Sequence, residues 1–208
     1  MVKNLEQTDL TRKRYNRLAF LYDFLEAPME RLRFGLWRSR LRERIEGPRV
    51  LEVGVGTGKN LTYYPPGVSI TGIDLSPRML EKANRKATIL KLDSDLKEMD
   101  VQQLAFPDHS FDTVFATFVF CSVPNPLQGL KELRRVCKQD GKLLLLEHMR
   151  PGNYFLGMLF DMLNPFVVRM MGANINRRTM TSIRKAGWHV QVEERLSLDI
   201  VRWIEAVP

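Results

Sequence analysis

The chain has 208 residues, 44% hydrophobic and 27% charged, which suits one domain with a large core plus an appendage and excludes a disordered chain. The net charge is +8 and uneven, with 12 Lys/Arg against 7 Asp/Glu in residues 1–49. That bias fits a solvated basic face or an anionic partner, either a membrane surface or a nucleic acid. Two cysteines, Cys121 and Cys137, exclude a disulfide framework, show no metal-ligand spacing and point to a reduced, cytoplasmic compartment.

Residues 1–17 are polar throughout, unlike a signal peptide. A first helix is expected from about Thr11 to Glu26, with Tyr15, Leu18, Ala19, Tyr22 and Leu25 at helical spacing and Phe20, Leu21 and Phe24 widening the apolar face. Pro28 reads as the first turn of a second helix, closed by Gly47-Pro48. Strands and helices then alternate. Val50–Val53 is a strand leading into a Gly-rich turn that opens a helix, and Val68–Ile73 is a second strand. Ser76-Pro77 caps a helix through Met79, Leu80 and Ala83. Strands follow near Leu96–Met99, at Phe111–Phe118 and at Lys142–Glu147, with a helix at Pro126–Val136. The alternation argues for a mostly parallel sheet covered on both faces, an α/β three-layer arrangement. Phe155–Met171 reads as a loose helical insertion rich in Met and Phe. Asp161, Asn164 and Pro165 interrupt it, so it falls short of the roughly 20 apolar residues of a membrane span. Arg177–Ala186 reads as a helix closed by Gly187, and Val190–Glu194 with Ile200–Ala206 as a final antiparallel pair.

The sharpest local signal is Glu52-Val53-Gly54-Val55-Gly56-Thr57-Gly58. Glycines at alternate positions let backbone turn tightly and approach a ligand. Asp74 ends the second strand about 20 residues on, where a carboxylate can accept from ribose hydroxyls; beside Ser76 it also suits dipole stabilisation of a helix start. Nicotinamide-binding loops place their third glycine three residues after the second, whereas Gly58 follows Gly56 by two. A Walker loop ends Gly-Lys-Ser/Thr, whereas Gly58-Lys59 precedes Asn60.

With these features the chain resembles the class I S-adenosylmethionine-dependent methyltransferases over roughly residues 12–206. The resemblance rests on Val50 to Gly58, on Gly72-Ile73-Asp74-Leu75-Ser76-Pro77-Arg78-Met79-Leu80, on Leu104-Ala105-Phe106-Pro107-Asp108-His109-Ser110-Phe111-Asp112, and on Leu133-Arg134-Arg135-Val136 leading into Asp140-Gly141-Lys142-Leu143. It implies a Rossmann-like sheet whose last strand is antiparallel, with an N-terminal helical extension, and S-adenosyl-L-methionine as cofactor, left as S-adenosyl-L-homocysteine. It also implies roles. Glu52, Gly54, Gly56, Thr57, Gly58 and Asn60 would hold the methionine moiety. Asp74 would take the ribose, with Leu75 and Met79 near the adenine. Asp100, ahead of Val101, would meet the adenine amino group; the acidic turn Asp93-Ser94-Asp95 leaves Asp95 as the alternative. Thr117 and Phe118 would flank the methionine end and the acceptor. The nearest likenesses within the family are bacterial phospholipid N-methyltransferases, quinone C-methyltransferases and membrane-associated thiol S-methyltransferases, on Tyr22-Asp23, Phe120-Cys121-Ser122-Val123-Pro124-Asn125, Glu147-His148 and Asn153-Tyr154-Phe155.

One domain is expected over 1–208, with 1–47 a helical lid or membrane-contact extension, 48–150 the cofactor-binding core and 151–208 an acceptor-side insertion with a final helix and hairpin. Methyl transfer from a sulfonium needs alignment and exclusion of water more than an acid–base pair. An amine nucleophile must still lose its proton, for which Glu147 and His148 are candidates, and Tyr15 and Tyr22 can close over the cofactor or cradle a cationic headgroup. Cys121 reads as a small core residue. No metal is expected. A membrane-associated lipid such as phosphatidylethanolamine leads as acceptor, ahead of a quinone precursor or a small thiol. The wide apolar N-terminal helix, flanked by Arg12, Lys13, Arg14 and Arg17, fits peripheral contact with an anionic membrane. A nucleic-acid substrate fits less well, because base-methylating enzymes carry Asn/Asp-Pro-Pro-Tyr/Phe after the fourth strand.

Overall fold

The computed structural model describes residues 2–197 and 199–208. Its centre is a seven-stranded sheet in the order β3-β2-β1-β4-β5-β7-β6, formed by β1 (Arg49–Val53), β2 (Ser69–Asp74), β3 (Ser94–Glu98), β4 (Phe111–Thr117), β5 (Cys137–His148), β6 (His189–Arg195) and β7 (Val201–Val207). Neighbours from β3 to β5 pair in parallel, and β7 runs antiparallel to both β5 and β6. The expected three-layer sheet is therefore present, with its one reversed strand inside the sheet beside the edge strand β6.

Side-chain alternation along the strands builds two cores. Leu51, Val53, Val114, Ala116, Leu143 and Leu145 face α5 (Pro126–Val136) and α7 (Thr179–Lys185). Val50, Phe115, Leu144, Leu146 and Trp203 face the opposite layer, built from α2 (Gly35–Ser39), α3 (Leu41–Arg44) and part of α4 (Pro77–Leu90). The cap of α4 forms as the sequence dictates: Ser76 Oγ accepts from Met79 N at 3.2 Å, with Pro77 in the first turn.

Three local expectations are corrected. Pro28 does not start a helix. It lies in the last turn of a single helix, α1 (Val2–Met29), which passes through a π-helical turn at Glu30–Phe34 into α2. Proline's fixed φ is helical in either place, so the residue alone does not tell a start from an end. The Gly-rich turn opens no α-helix, only a 3-10 segment, Lys59–Tyr63. Ser94 and Asp95 lie in β3 rather than in a turn. The tail insertion is a continuous helix, α6 (Tyr154–Met171), that accommodates Pro165. The side chains of Leu25, Glu26 and Met171, counted in the expected helices, lie outside the described set.

Phe115 is fully buried at the centre of the second core, its ring 5.7 Å from that of Tyr64. Phe115→Ala should cost about 3–5 kcal/mol of unfolding free energy, measured by urea denaturation. A loss under about 1 kcal/mol would mean that the sheet is not packed this way.

Candidate functional site

A parallel sheet gathers its carboxyl ends on one edge. The chain leaves β1 toward β2 on one side and returns to β4 on the other, which opens a crevice at that switch point. A cavity lies there, at the place where open α/β sheets bind their ligands. Its walls come from the turn after β1 (Gly54, Gly56), the end of β2 (Asp74, Leu75), Met79, Asp100 and Val101, and the end of β4 (Thr117, Phe118). Its roof comes from α1, through Thr11, Tyr15 and Tyr22. Most residues singled out in the sequence thus meet around one space.

The turn after β1 has the shape of a cradle. Gly54 has φ +67°, and a Cβ there would stand 2.4 Å from Val119 Cγ2, so only glycine lets the turn cross to the β4 loop. Gly56 has φ +55°, and a Cβ there would meet only Gly54 O, at 3.9 Å, so its open side faces free space. Asp74 secures the turn: its Oδ2 accepts from Gly56 N at 2.9 Å and its Oδ1 from Ser76 N at 2.8 Å. Burial pushes the Asp74 carboxyl up, and the N–H groups of Ser76, Gly56 and Leu75 pull the other way. Asp100 lines the cavity and is held by Gln102, whose Nε2 donates at 2.9 Å. Asp95 instead pairs with Lys97 on β3, away from the cavity. An adenosine-sized ligand bearing an amino-acid tail fits this donor set: carboxylates at two strand ends, an open backbone turn between them and apolar walls.

Other expected contacts sit beneath the cavity. Glu52 is fully buried and does not line it. Its Oε1 accepts from Asn60 Nδ2 and its Oε2 from Tyr64 Oη, both at 2.7 Å. Asn60 Nδ2 also donates to Thr117 Oγ1 at 2.9 Å. Arg38, which the sequence reading passed over as one more basic residue, is 4% exposed. Its Nη1 donates to Asn60 Oδ1 (2.7 Å) and Thr117 Oγ1 (2.6 Å), and its Nε faces Glu30 at 3.1 Å. Burial raises the Glu52 carboxyl, against the hydrogen bonds from Asn60 and Tyr64 and the charge of Arg38. Phe118 lies above this knot in the left-handed region at φ +59°, its ring stacked 4.5 Å from Phe34 and 5.5 Å from the Arg38 guanidinium. That backbone costs on the order of 1–3 kcal/mol and is held by its surroundings.

Polar contacts latch the roof across the crevice. Tyr15 Oη lies 2.5 Å from Ser122 Oγ, Asn16 Oδ1 accepts from Ser76 Oγ at 2.6 Å, and Asp23 Oδ1 accepts from Thr57 Oγ1 at 2.6 Å. Thr8 and Arg12 reach Asp100 and Glu98. Thr57 is thus a latch outside the cavity lining, and Gly58 likewise sits back from it, against Leu61. Tyr15 and Tyr22 were the sequence signals for this closure, and Ser122 lay within the Phe120–Asn125 motif; nothing in the local pattern marked Thr8 or Asn16.

Neither acid–base candidate at the end of β5 lines the cavity. Residue 147 has the strand parity of Leu143 and Leu145, so the Glu147 side chain turns under the β4 loop. There its Oε1 accepts from Val119 N (2.8 Å) and Phe120 N (3.1 Å), and its Oε2 is buried with no hydrogen bond. Burial raises this carboxyl to about 7, partly offset by those two N–H groups. His148 falls on the other face, packed 5.4 Å from the Phe118 ring. Burial, then the charge of Glu147, pushes the Cys121 thiol up to about 12, which suits a core residue and not a nucleophile.

Residues 51–145 match a family model described as a methyltransferase domain. The chain is 38% identical to a phosphatidylethanolamine N-methyltransferase of Cereibacter sphaeroides over 149 residues, 68% of this chain and 70% of that one. It is 37% identical to a demethylmenaquinone methyltransferase of Deinococcus radiodurans over 131 residues, 62% of this chain and about half (54%) of that one. In fold it matches a SAM-dependent methyltransferase of Thermotoga maritima with a TM-score of 0.70 at 22% identity, over 94% of this chain and 98% of that one.

A carboxyl raised by burial binds its proton more tightly in the folded chain than in the unfolded one. Stability therefore falls as pH rises from the ordinary value of 4.5 through about 7. Glu147→Gln keeps an oxygen for the Val119 and Phe120 N–H groups and removes the charge. Its melting temperature should fall less steeply across that interval than the wild type's, with Glu52 and Asp74 leaving a residual slope. Identical slopes for the two proteins would contradict the assignment.

Proposed function

We propose that this chain, which belongs to the class I S-adenosylmethionine-dependent methyltransferases, delivers its methyl group to a lipid amine at a membrane surface, with phosphatidylethanolamine as the leading acceptor. The observation that carries the reading is an exposed apolar face beside the site. On α6, Phe155, Met158, Met162, Phe166 and Met170 are all more than half exposed, and Phe20 and Phe24 of α1 are exposed as well. No helix among the described residues is long and apolar enough to cross a membrane, and contiguous exposed apolar surface of this kind marks an interaction site. Lys13 and Arg17 stand exposed on α1 and suit anionic headgroups, whereas Arg12 is already paired with Asp9 and Glu98. The identity to the Cereibacter protein supports the amine acceptor; the Deinococcus relative keeps a quinone precursor as the second reading.

The cofactor, when bound, supplies a methyl group activated by a positive sulfur. The chain's own contribution is placement. In this reading Asp74 takes the ribose hydroxyls, Asp100 with Val101 takes the adenine amino group, and Leu75 and Met79 supply apolar walls. The Gly54–Gly56 turn holds the amino-acid tail through backbone N–H groups, and Glu52 and Asn60 act one layer below by fixing that turn. Thr117 and Phe118 set the far wall, where acceptor and methyl carbon meet in line. Tyr15 and Tyr22 shut out water from above and offer ring faces to the cationic product. With Glu147 buried beneath the β4 loop, the amine enters neutral and its proton leaves through solvent.

Asp74→Ala should weaken S-adenosylmethionine binding by tenfold or more, roughly the worth of a charged hydrogen bond; unchanged affinity by calorimetry would sink the cofactor assignment. Incubation with methyl-labelled cofactor and an anionic lipid extract should place label in mono-, di- or trimethylated phosphatidylethanolamine, and the protein should sediment with anionic vesicles at low salt. Label confined to quinones would move the reaction to carbon. No lipid label together with a protein left in the supernatant would end the lipid reading.

A further inference from the structure

A second cavity adjoins the first and shares with it a partition of Thr11, Ser122 and Pro124. Beyond that partition it is lined by Arg14 of α1, by Val168 and Gly172 at the end of α6, and by Asn174 and Arg177 of the following loop. No Asp or Glu lines it.

The two arginines differ from other cations near the crevice. Arg12 and Arg38 have carboxylate partners. Among the described residues, neither Arg14 nor Arg177 makes an ion pair. Arg177 is fixed at one end, its Nη2 donating to Val123 O at 2.9 Å, while its Nε is buried with no hydrogen bond. Burial pulls its guanidinium down from the ordinary value, so the charge is held at a cost that a ligand anion would remove. Arg14 is brought in by close packing. Gly172 ends α6 at φ +78°, and a Cβ there would stand 3.1 Å from Arg14 Cδ. The loop carrying Arg177 is tied to the β4 loop by Asn174, whose N and Nδ2 both donate to Cys121 O.

We propose that Arg14 and Arg177 form an anion subsite that receives the phosphodiester of the acceptor. A guanidinium fork matches the two unesterified oxygens of a phosphodiester. In an ethanolamine phosphodiester one oxygen and two carbons separate phosphorus from nitrogen. An anion held in the second cavity therefore lets the amine cross the partition of Thr11, Ser122 and Pro124 into the first. The acyl chains leave along α6, whose Val168 lines the same space and whose outer face is apolar. The subsite would select an anionic headgroup carrying a short amine and discriminate against quinones and thiols, which offer no phosphate.

The inference rests on the lipid-amine reading, and its test separates the two. Soluble glycerophosphoethanolamine is titrated calorimetrically into the wild type, Arg177→Gln and Arg14→Gln, each saturated with S-adenosyl-L-homocysteine. Methylation of phosphatidylethanolamine in phosphatidylcholine vesicles is measured in parallel. Each substitution should weaken headgroup binding and raise KM by about tenfold or more, with kcat and cofactor affinity nearly unchanged. The Arg14 side chain makes no hydrogen bond to another described residue, so Arg14→Gln remains informative if Arg177→Gln fails to fold. Headgroup binding and KM equal to wild type in Arg14→Gln would overturn the subsite while the acceptor reading stands. Arginine-dependent headgroup binding without methylation of any phosphatidylethanolamine would keep the subsite and overturn the acceptor.

Discussion

A carboxylate with no access to water sits in the middle of the sheet, and the site is arranged around satisfying it. Glu52 on β1 can be buried only because Asn60 and Tyr64 donate to its two oxygens. Those donors fix what surrounds them. Asn60 belongs to the segment after the glycine turn, so its bond holds the turn's far end against the sheet. It also ties Thr117 on β4 and the Arg38 guanidinium into the same knot. The floor of the cavity is thus set by electrostatic necessity and its walls by the two strands that diverge above it. Replacing one member of such a knot leaves the others buried and unsatisfied, so the group stands or falls together.

The roof obeys a different rule. Among the described residues, no α1 side chain joins the apolar clusters of the core. Single polar contacts hold the helix, spread along its length from Thr8 to Asp23 and reaching separate parts of the core. Several of these are part-exposed, and exposed or half-exposed polar pairs are each worth little. A rigid floor beneath a lightly tied roof suits a site that must admit a bulky cofactor and then exclude water.

The strands and most helices were legible because buried parallel strands read as short runs of Val, Ile, Leu and Phe, and because Ser76-Pro77 and Pro126 mark helix starts. The cavity walls were legible as well, since the glycine turn and Asp74 lie at strand ends, where the sheet topology places ligands. Side-chain direction was not. Glu147 ends a central strand, as a pocket residue should, but pleat parity turns it to the wrong face, and parity depends on a register visible only in the folded sheet. Arg38 lay hidden in a basic stretch where solvated charge is the default expectation, and nothing local distinguishes a buried guanidinium from an exposed one. Pro28 misled for a simpler reason, because proline's φ serves the first and the last turn of a helix alike.

The reversed strand has a consequence for how the chain is made. β7 lies between β5 and β6, and its partner β5 carries Leu143, Leu144, Leu145 and Leu146, all fully buried. Until Val201–Val207 have emerged from the ribosome, that row of leucines ends in an unpaired edge, and β6 has no neighbour to join. The five parallel strands can assemble during synthesis while the sheet stays open on that side, a state prone to pairing with other chains. Completion waits for the strand translated after the other six, so a chain stopped at residue 200 should be captured by chaperones or aggregate even though it contains every residue that lines the cavity.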